Sequence, residues 1–79
     1  MRKPKAVTCH EFIQFTEDEK AELIKLDGVY IGKTIKSGII VLLYQLEDFY
    51  IEIYYSSFRS EINRFECTKD TSVLDEYFL

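Results

Sequence analysis

The chain has 79 residues and a formal net charge of −4; 47% of the residues are hydrophobic and 30% are charged. This length suits one small domain, and the composition is typical of a globular protein rather than a disordered one. The longest apolar run, 39–44, is far shorter than the roughly 20 residues that span a bilayer. The N-terminus also lacks the apolar core of a secretory signal. We therefore expect a single domain over 1–79, with 1–6 as a flexible tail, in the cytoplasm.

The charge balance disfavours nucleic acid as a partner. Asp and Glu number 14 against 10 Lys and Arg, and the basic cluster Arg2-Lys3-Pro4-Lys5 lies in the predicted tail. Nucleic-acid binding normally requires a basic stripe that displaces counterions from phosphates. We expect neither nucleic acid nor membrane as a partner.

The cysteines and the histidine do not form a recognisable metal motif. Cys9 and Cys67 lie far apart in the sequence, and cytoplasmic thiols stay reduced, so we expect two small buried apolar residues. Cys9-His10-Glu11 groups three potential ligands, but consecutive residues do not easily converge on one ion. We expect no metal and no cofactor.

Two capping boxes predict helices near the N-terminus. Thr8 and Thr16 are each followed three residues later by a glutamate, Glu11 and Glu19. They predict a short helical turn over 9–14 and a main helix over 17–26. Gly28 is expected to end that helix in a left-handed conformation.

Alternating hydrophobicity then predicts an antiparallel meander. Strands are expected over 29–35, 39–46, 49–55 and 62–68, with tight turns at Ser37-Gly38 and Glu47-Asp48. Phe58 is expected to tuck under the sheet edge, and a terminal helical turn to run through Tyr77 and Phe78. The predicted fold is α+β: an N-terminal helix, preceded by the short helical turn, packs on a four-stranded antiparallel meander followed by a short C-terminal helix.

The predicted register gives the sheet one apolar face, which the helices are expected to cover. The opposite face, here called the second face, combines tyrosines with a few polar side chains. Its candidate binding residues are Tyr30, Gly32, Leu43, Gln45, Tyr50, Glu52, Tyr54 and Arg64. Because Gly32 has no side chain, we expect a shallow dent over Leu43, with Glu52 beside it.

Several functions are compatible with this face. Tyrosine is enriched at protein interfaces, so the main hypothesis is a non-enzymatic interaction module that binds a protein partner or a second copy of itself. The alternative function is a small-molecule binder or minor enzyme centred on Glu52. The tyrosines are also compatible with an ordinary solvated face on which Glu52 pairs with Arg64, and Gly32 with a simple β-bulge. No constellation of nucleophile, acid and base is evident.

Three segments resemble a group of short uncharacterised bacterial proteins. They are Gly28-Val29-Tyr30-Ile31-Gly32, Val41-Leu42-Leu43-Tyr44-Gln45-Leu46 and Phe49-Tyr50-Ile51-Glu52-Ile53-Tyr54-Tyr55. Those proteins share a G-V-[YF] start and a V-L-L-Y-Q-L-x-x-F-Y-V-E-V-Y-Y-like hairpin. The resemblance implies a bacterial cytoplasmic origin and brings no activity or functional residue with it.

Overall fold

The computed structural model describes residues 7–56 and 59–77 and confirms the α+β fold. The predicted tail and the predicted positions of Phe58 and Phe78 lie outside these residues. The elements in chain order are α1 (Cys9–Phe12), α2 (Glu17–Asp27), β1 (Val29–Lys36), β2 (Ile39–Leu46), β3 (Phe49–Ser56), β4 (Glu61–Thr68) and a C-terminal 3₁₀ helix (Thr71–Glu76).

Both capping boxes are present at the predicted positions. The backbone N–H of Glu11 donates to Thr8 Oγ1 at 3.1 Å, and that of Glu19 donates to Thr16 Oγ1 at 3.1 Å. The prediction for Gly28 is wrong in conformation, since its φ of −75° and ψ of 148° are extended. A side chain is excluded there for another reason: a Cβ would lie 2.6 Å from the carbonyl oxygen of Ile24. Gly28 thus permits close approach of the chain to the end of α2.

The four strands form an antiparallel sheet in the order β1-β2-β3-β4. The pairing of β2 with β3 follows the predicted register, with Leu43 opposite Glu52. In β1, however, the register shifts between Tyr30 and Gly32, and Tyr30 pairs with Tyr44 instead of Gln45. An extra residue, Ile31, therefore reverses the side on which the preceding side chains lie. The assignment of Tyr30 to the second face is wrong.

The helices pack on the other face, here called the helix side. Its core contains Phe12 and Ile24 from the helices and five strand residues: Leu46, Phe49, Ile51, Ile53 and Phe65. The phenyl ring of Phe12 lies 6.0 Å from that of Phe49 and 6.2 Å from that of Phe65, between centroids. Ring packing of this kind anchors α1 to the sheet.

A disulfide also joins α1 to β4. Cys9 and Cys67 are bonded through their sulfur atoms, and their Cα atoms are 6.0 Å apart. The expectation of two reduced thiols is therefore wrong for this structure. No local pattern indicates the bond, because residues 58 positions apart become neighbours only when α1 packs beside β4.

The second face is covered as well, so the fold has three layers rather than two. Val41 and Leu43 of β2 are fully buried although they point away from the helices. The 3₁₀ helix and Tyr77, which follows it, lie on this side, with Tyr77 against Gly32. Both faces of the central strand are therefore shielded from water, which explains why β2 is nearly all apolar.

Candidate functional site

Three side chains meet around the carboxyl group of Glu52 on the second face; together with Glu52 we call them the Glu52 cluster. Tyr77 donates its hydroxyl to Glu52 Oε2 at 2.8 Å, and Lys36 Nζ donates to the same oxygen at 2.9 Å. The hydroxyl of Tyr54 donates to Oε1 at 3.4 Å. Glu52 is only 7% exposed. Its carboxyl group is thus buried and supplied with donors on both oxygens, as a buried carboxylate requires.

The predicted dent at Gly32 is occupied. A Cβ placed on Gly32 would be 3.7 Å from Cβ of Tyr77 and 3.8 Å from its Cδ2. Leu43 beneath is fully buried. Tyr77 therefore takes the place that a ligand was expected to fill, and the expectation of an open dent is wrong.

The electrostatics of the cluster also favour a closed arrangement. Burial and the hydrogen bond to Glu52 raise the pKa of the Tyr77 phenol above its ordinary value. Burial alone would lower the pKa of Lys36, but its hydrogen bonds to Glu76 and Glu52 outweigh that effect and raise it. Lys36 also links the cluster to the 3₁₀ helix, because its Nζ lies 2.7 Å from Glu76 Oε1. The raised pKa values keep the phenol of Tyr77 and the ammonium group of Lys36 protonated, so both groups can donate to Glu52 and hold the C-terminal segment on the sheet.

The remaining residues of the predicted site lie around this cluster. The guanidinium carbon of Arg64 stands 3.9 Å from the ring centroid of Tyr54, and its Nε donates to Glu66 Oε2 at 2.6 Å. Glu52 therefore pairs with Lys36 rather than with Arg64. Gln45 and Tyr50 face each other across β2 and β3 and are half-buried.

Tyr30 belongs to a different surface, a groove on the helix side. Its ring is 54% exposed and packs edge-on against Tyr44, with 5.4 Å between centroids. The groove has a volume of about 380 Å³ between α2 and the sheet. Its lining is formed by Ala21, Ile24, Lys25, Gly28, Tyr30, Tyr44, Ile53, Ile62 and Phe65. We call it the basic groove because of the lysines around it.

Three lysines lie at or near the basic groove on the helix side. Lys25 lines it, and Lys20 holds its Nζ 5.3 Å from the ring centroid of Phe65. Lys33 lies opposite Leu42 in the register and is exposed on the same side of the sheet. None of the three makes an ion pair with a carboxylate in the described part of the chain, whereas Lys36, Arg59, Arg64 and Lys69 all do. Among the described residues, the Lys and Arg side chains without an ion pair are thus all on the helices or on the helix side of the sheet.

Sequence reasoning missed the basic groove and the cover over the second face for different reasons. The cover had a signal: β2 carries the apolar residues Val41 and Leu43 on its second face, and the C-terminal segment carries Val73, Leu74 and Tyr77, which favour burial. The groove depends on the bulge at Ile31, and the register shift there confirms the alternative interpretation of Gly32 as part of a β-bulge. The predicted position of Tyr30 did not take that bulge into account.

Comparison with protein-family models, curated proteins and solved structures returns no match for this chain. Within residues 7–56 and 59–77, no group of three or more His, Cys, Asp or Glu side chains is placed to hold a metal ion. No helix in the described ranges has the length and apolar character needed to cross a membrane.

Proposed function

We propose that this chain is a non-enzymatic protein-interaction module that binds through the basic groove. The supporting observation is the exposed apolar surface that the helices leave uncovered. Tyr30 is 54% exposed at the groove, and Ile35 further along β1 is 68% exposed. Contiguous apolar surface with a polar rim is typical of interaction sites.

The second face is the less favoured binding surface. Leu43, Glu52 and Tyr54 are buried, and Tyr77 covers the carboxyl group of Glu52, so a partner reaches that group only if Tyr77 moves away. Gln45, Tyr50 and Arg64 keep accessible surface, and a hollow of about 320 Å³ on this side is lined by Lys36, Ser37, Ile39, Tyr54 and Arg64. Neither of its large apolar side chains, Ile39 and Tyr54, is among the exposed ones of the described residues, whereas Tyr30 at the basic groove is. The exposed surface on the helix side is therefore preferred to the second face as the binding site.

Ligand chemistry at Glu52 is the second candidate function, and the geometry argues against it. General acid–base catalysis requires a carboxyl group within hydrogen-bond reach of a substrate. Tyr77 and Lys36 occupy Glu52 Oε2, and Tyr54 faces Oε1. A substrate would first have to displace Tyr77.

A peptide selection tests the interaction proposal and does not require a named partner. The probe is a phage-displayed random peptide library selected on the full chain, and the enriched peptides are synthesised for fluorescence anisotropy. Two matched variants, Tyr30→Ala and Tyr50→Ala, remove the same side chain from the two sides of the sheet. Tyr30→Ala is expected to weaken binding by about tenfold, as loss of a central aromatic contact does.

The control variant decides between the two surfaces. Tyr50→Ala is expected to bind the selected peptides as the unmodified chain does. Peptides that depend on Tyr50 and ignore Tyr30 would contradict the proposal and assign the site to the second face. Failure to enrich any peptide would contradict binding at either surface.

A further inference from the structure

We infer that the basic groove takes an acidic peptide segment with a bulky apolar side chain as its anchor. This inference rests on the proposed function and specifies its partner. The distribution of charge is the first observation behind it. The protein has an excess of carboxylates, 14 against 10 basic residues, so most lysines have acidic neighbours available. Of the three lysines that lack an ion pair with the described residues, Lys25 lines the apolar groove and Lys20 lies over the ring of Phe65 in its lining, while Lys33 lies on the same side of the sheet.

The apolar part of the groove fits a side chain of the partner. Tyr44 and Ile53 form its floor, while Ala21 and Ile24 of α2 form one wall and Tyr30 the other. A volume of about 380 Å³ accommodates one or two large side chains with room for solvent at the mouth. The bulge in β4 contributes Ile62, because the register shift aligns it with Tyr55 on the helix side. Two bulges therefore shape the groove, one in each edge strand.

The charged part defines the chemistry around that anchor. Lys20 and Lys25 belong to α2 and Lys33 to β1, and both elements contribute residues to the lining of the groove. Their aliphatic stems extend the apolar lining, while the ammonium groups stay in water. Carboxylates on a bound peptide would meet these cations at the rim, where charge complementarity selects the partner and speeds association.

A second copy of the chain is the competing occupant. On the other side of α2, an apolar hollow is bordered by Glu19 and Glu22, with Leu23 and Leu26 in its lining. Leu26 is 68% exposed. Pairing of this hollow with the basic groove of another copy would be a head-to-tail contact, which generates open chains unless a ring closes. We therefore assign the groove to a separate acidic segment.

The test compares the composition and affinity of peptides selected on matched proteins. A random peptide library is selected on the full chain and on the double variant Lys25→Gln, Lys33→Gln. The control is Lys69→Gln, which removes the same charge at a site paired with Asp48. Peptides from the unmodified chain are expected to be enriched in Asp and Glu beside an apolar anchor. Their affinity is expected to fall about tenfold in the double variant, to stay unchanged in the control, and to decrease with added salt.

Each other outcome contradicts a defined part of the proposal. Neutral or basic peptides that still require Tyr30 would overturn the acidic partner and leave the interaction module intact. Peptides that bind without requiring Tyr30 would overturn the proposed function itself. Sedimentation equilibrium tests the remaining occupant, a second copy of the chain. Self-association that Tyr30→Ala abolishes and that acidic peptides do not reverse would assign the groove to that second copy and overturn this inference.

Discussion

The two faces of the sheet carry similar residue types and use them in opposite ways. In the Glu52 cluster, a buried carboxyl group receives hydrogen bonds from Tyr77 and Lys36, and the space above Gly32 is filled. At the basic groove, lysines lack ion-pair partners among the described residues and Tyr30 is half exposed. The comparison teaches that a group of reactive side chains does not by itself mark a site. Unpaired charge beside uncovered apolar surface indicates a binding site better than a cluster of buried, hydrogen-bonded side chains does.

The two covering layers also differ in how they are attached. α1 is held by a disulfide and by the rings around Phe12, whereas the 3₁₀ helix is held by Tyr77 and by the ion pair between Lys36 and Glu76.

Loss of the disulfide is expected to have the largest effect on stability. The bond closes a loop with a sequence separation of 58 residues. A crosslink of this span lowers the entropy of the unfolded chain and contributes about 4 kcal/mol. Urea unfolding of the oxidised protein and of Cys9→Ser, Cys67→Ser measures the difference. Equal midpoints would show that the disulfide does not stabilise the helix side.

The same cysteines test the predicted compartment. Disulfides persist in oxidising compartments and are rare in the cytoplasm. If the protein acts in the cytoplasm, mass spectrometry of alkylated cell extracts is expected to find both thiols free. Finding the oxidised form in cells would contradict the cytoplasmic prediction.

Leu43→Ala tests whether the second face is truly covered. Leu43 is fully buried, and its partner in the register, Gly32, lies against Tyr77. We expect a loss of about 2–3 kcal/mol, in the lower part of the range for buried leucines, because a short covering segment can settle into the cavity. Urea unfolding provides the measurement. A loss below about 0.5 kcal/mol, as at an exposed position, would mean that the face is open.

Tyr77→Phe removes only the hydroxyl that the Glu52 cluster uses. A hydrogen bond to a charged acceptor contributes about 1.5–3 kcal/mol to the free energy of unfolding. Because Tyr77 is only half buried, we expect the variant to lose about 1.5 kcal/mol, the lower value. Hydrogen exchange is expected to show faster opening of the 3₁₀ helix with little change in α1. Uniformly faster exchange throughout the chain would contradict a separately attached layer.

The cluster also predicts a loss of stability at alkaline pH. Folding raises the pKa of Tyr77 and of Lys36, so each group favours the folded state below its ordinary pKa. The contribution is expected to disappear as pH rises above about 10, where both groups lose their protons more readily in the unfolded chain. Urea midpoints measured across this range should fall less steeply in Tyr77→Phe. If the urea midpoint of Tyr77→Phe falls with pH as steeply as that of the unmodified protein, Tyr77 does not contribute to the alkaline loss of stability.

Lysines at the basic groove are expected to affect stability least. Lys25 is exposed and makes no ion pair with the described residues, so Lys25→Gln should change the free energy of unfolding by less than about 0.5 kcal/mol. Thermal melting checks this. A large destabilisation would indicate a structural role and weaken its assignment to binding.

Sequence reasoning succeeded where local chemistry decides the structure. The capping boxes located both helices, and the turns at Ser37-Gly38 and Glu47-Asp48 set the pairing of three strands. It failed at Ile31, because one extra residue in an edge strand reverses the side of Tyr30 while leaving the alternating pattern intact.

The position of the C-terminal layer illustrates the same limit. Alternation shows which strand residues share a face, but it does not show which later segment returns to cover that face. Tyr77 joins Gly32 and Glu52 across long sequence separations. The disulfide was missed for the same reason, since only the packed fold brings Cys9 to Cys67.

The accessibility of the tyrosine rings tests the contrast between the two faces most directly. A soluble gadolinium chelate added to the protein speeds relaxation of exposed ring protons in NMR spectra. Tyr30, 54% exposed, is expected to relax strongly, and Tyr54, 7% exposed, to be nearly unaffected. Strong relaxation of Tyr54 together with protection of Tyr30 would contradict both the open groove and the closed second face.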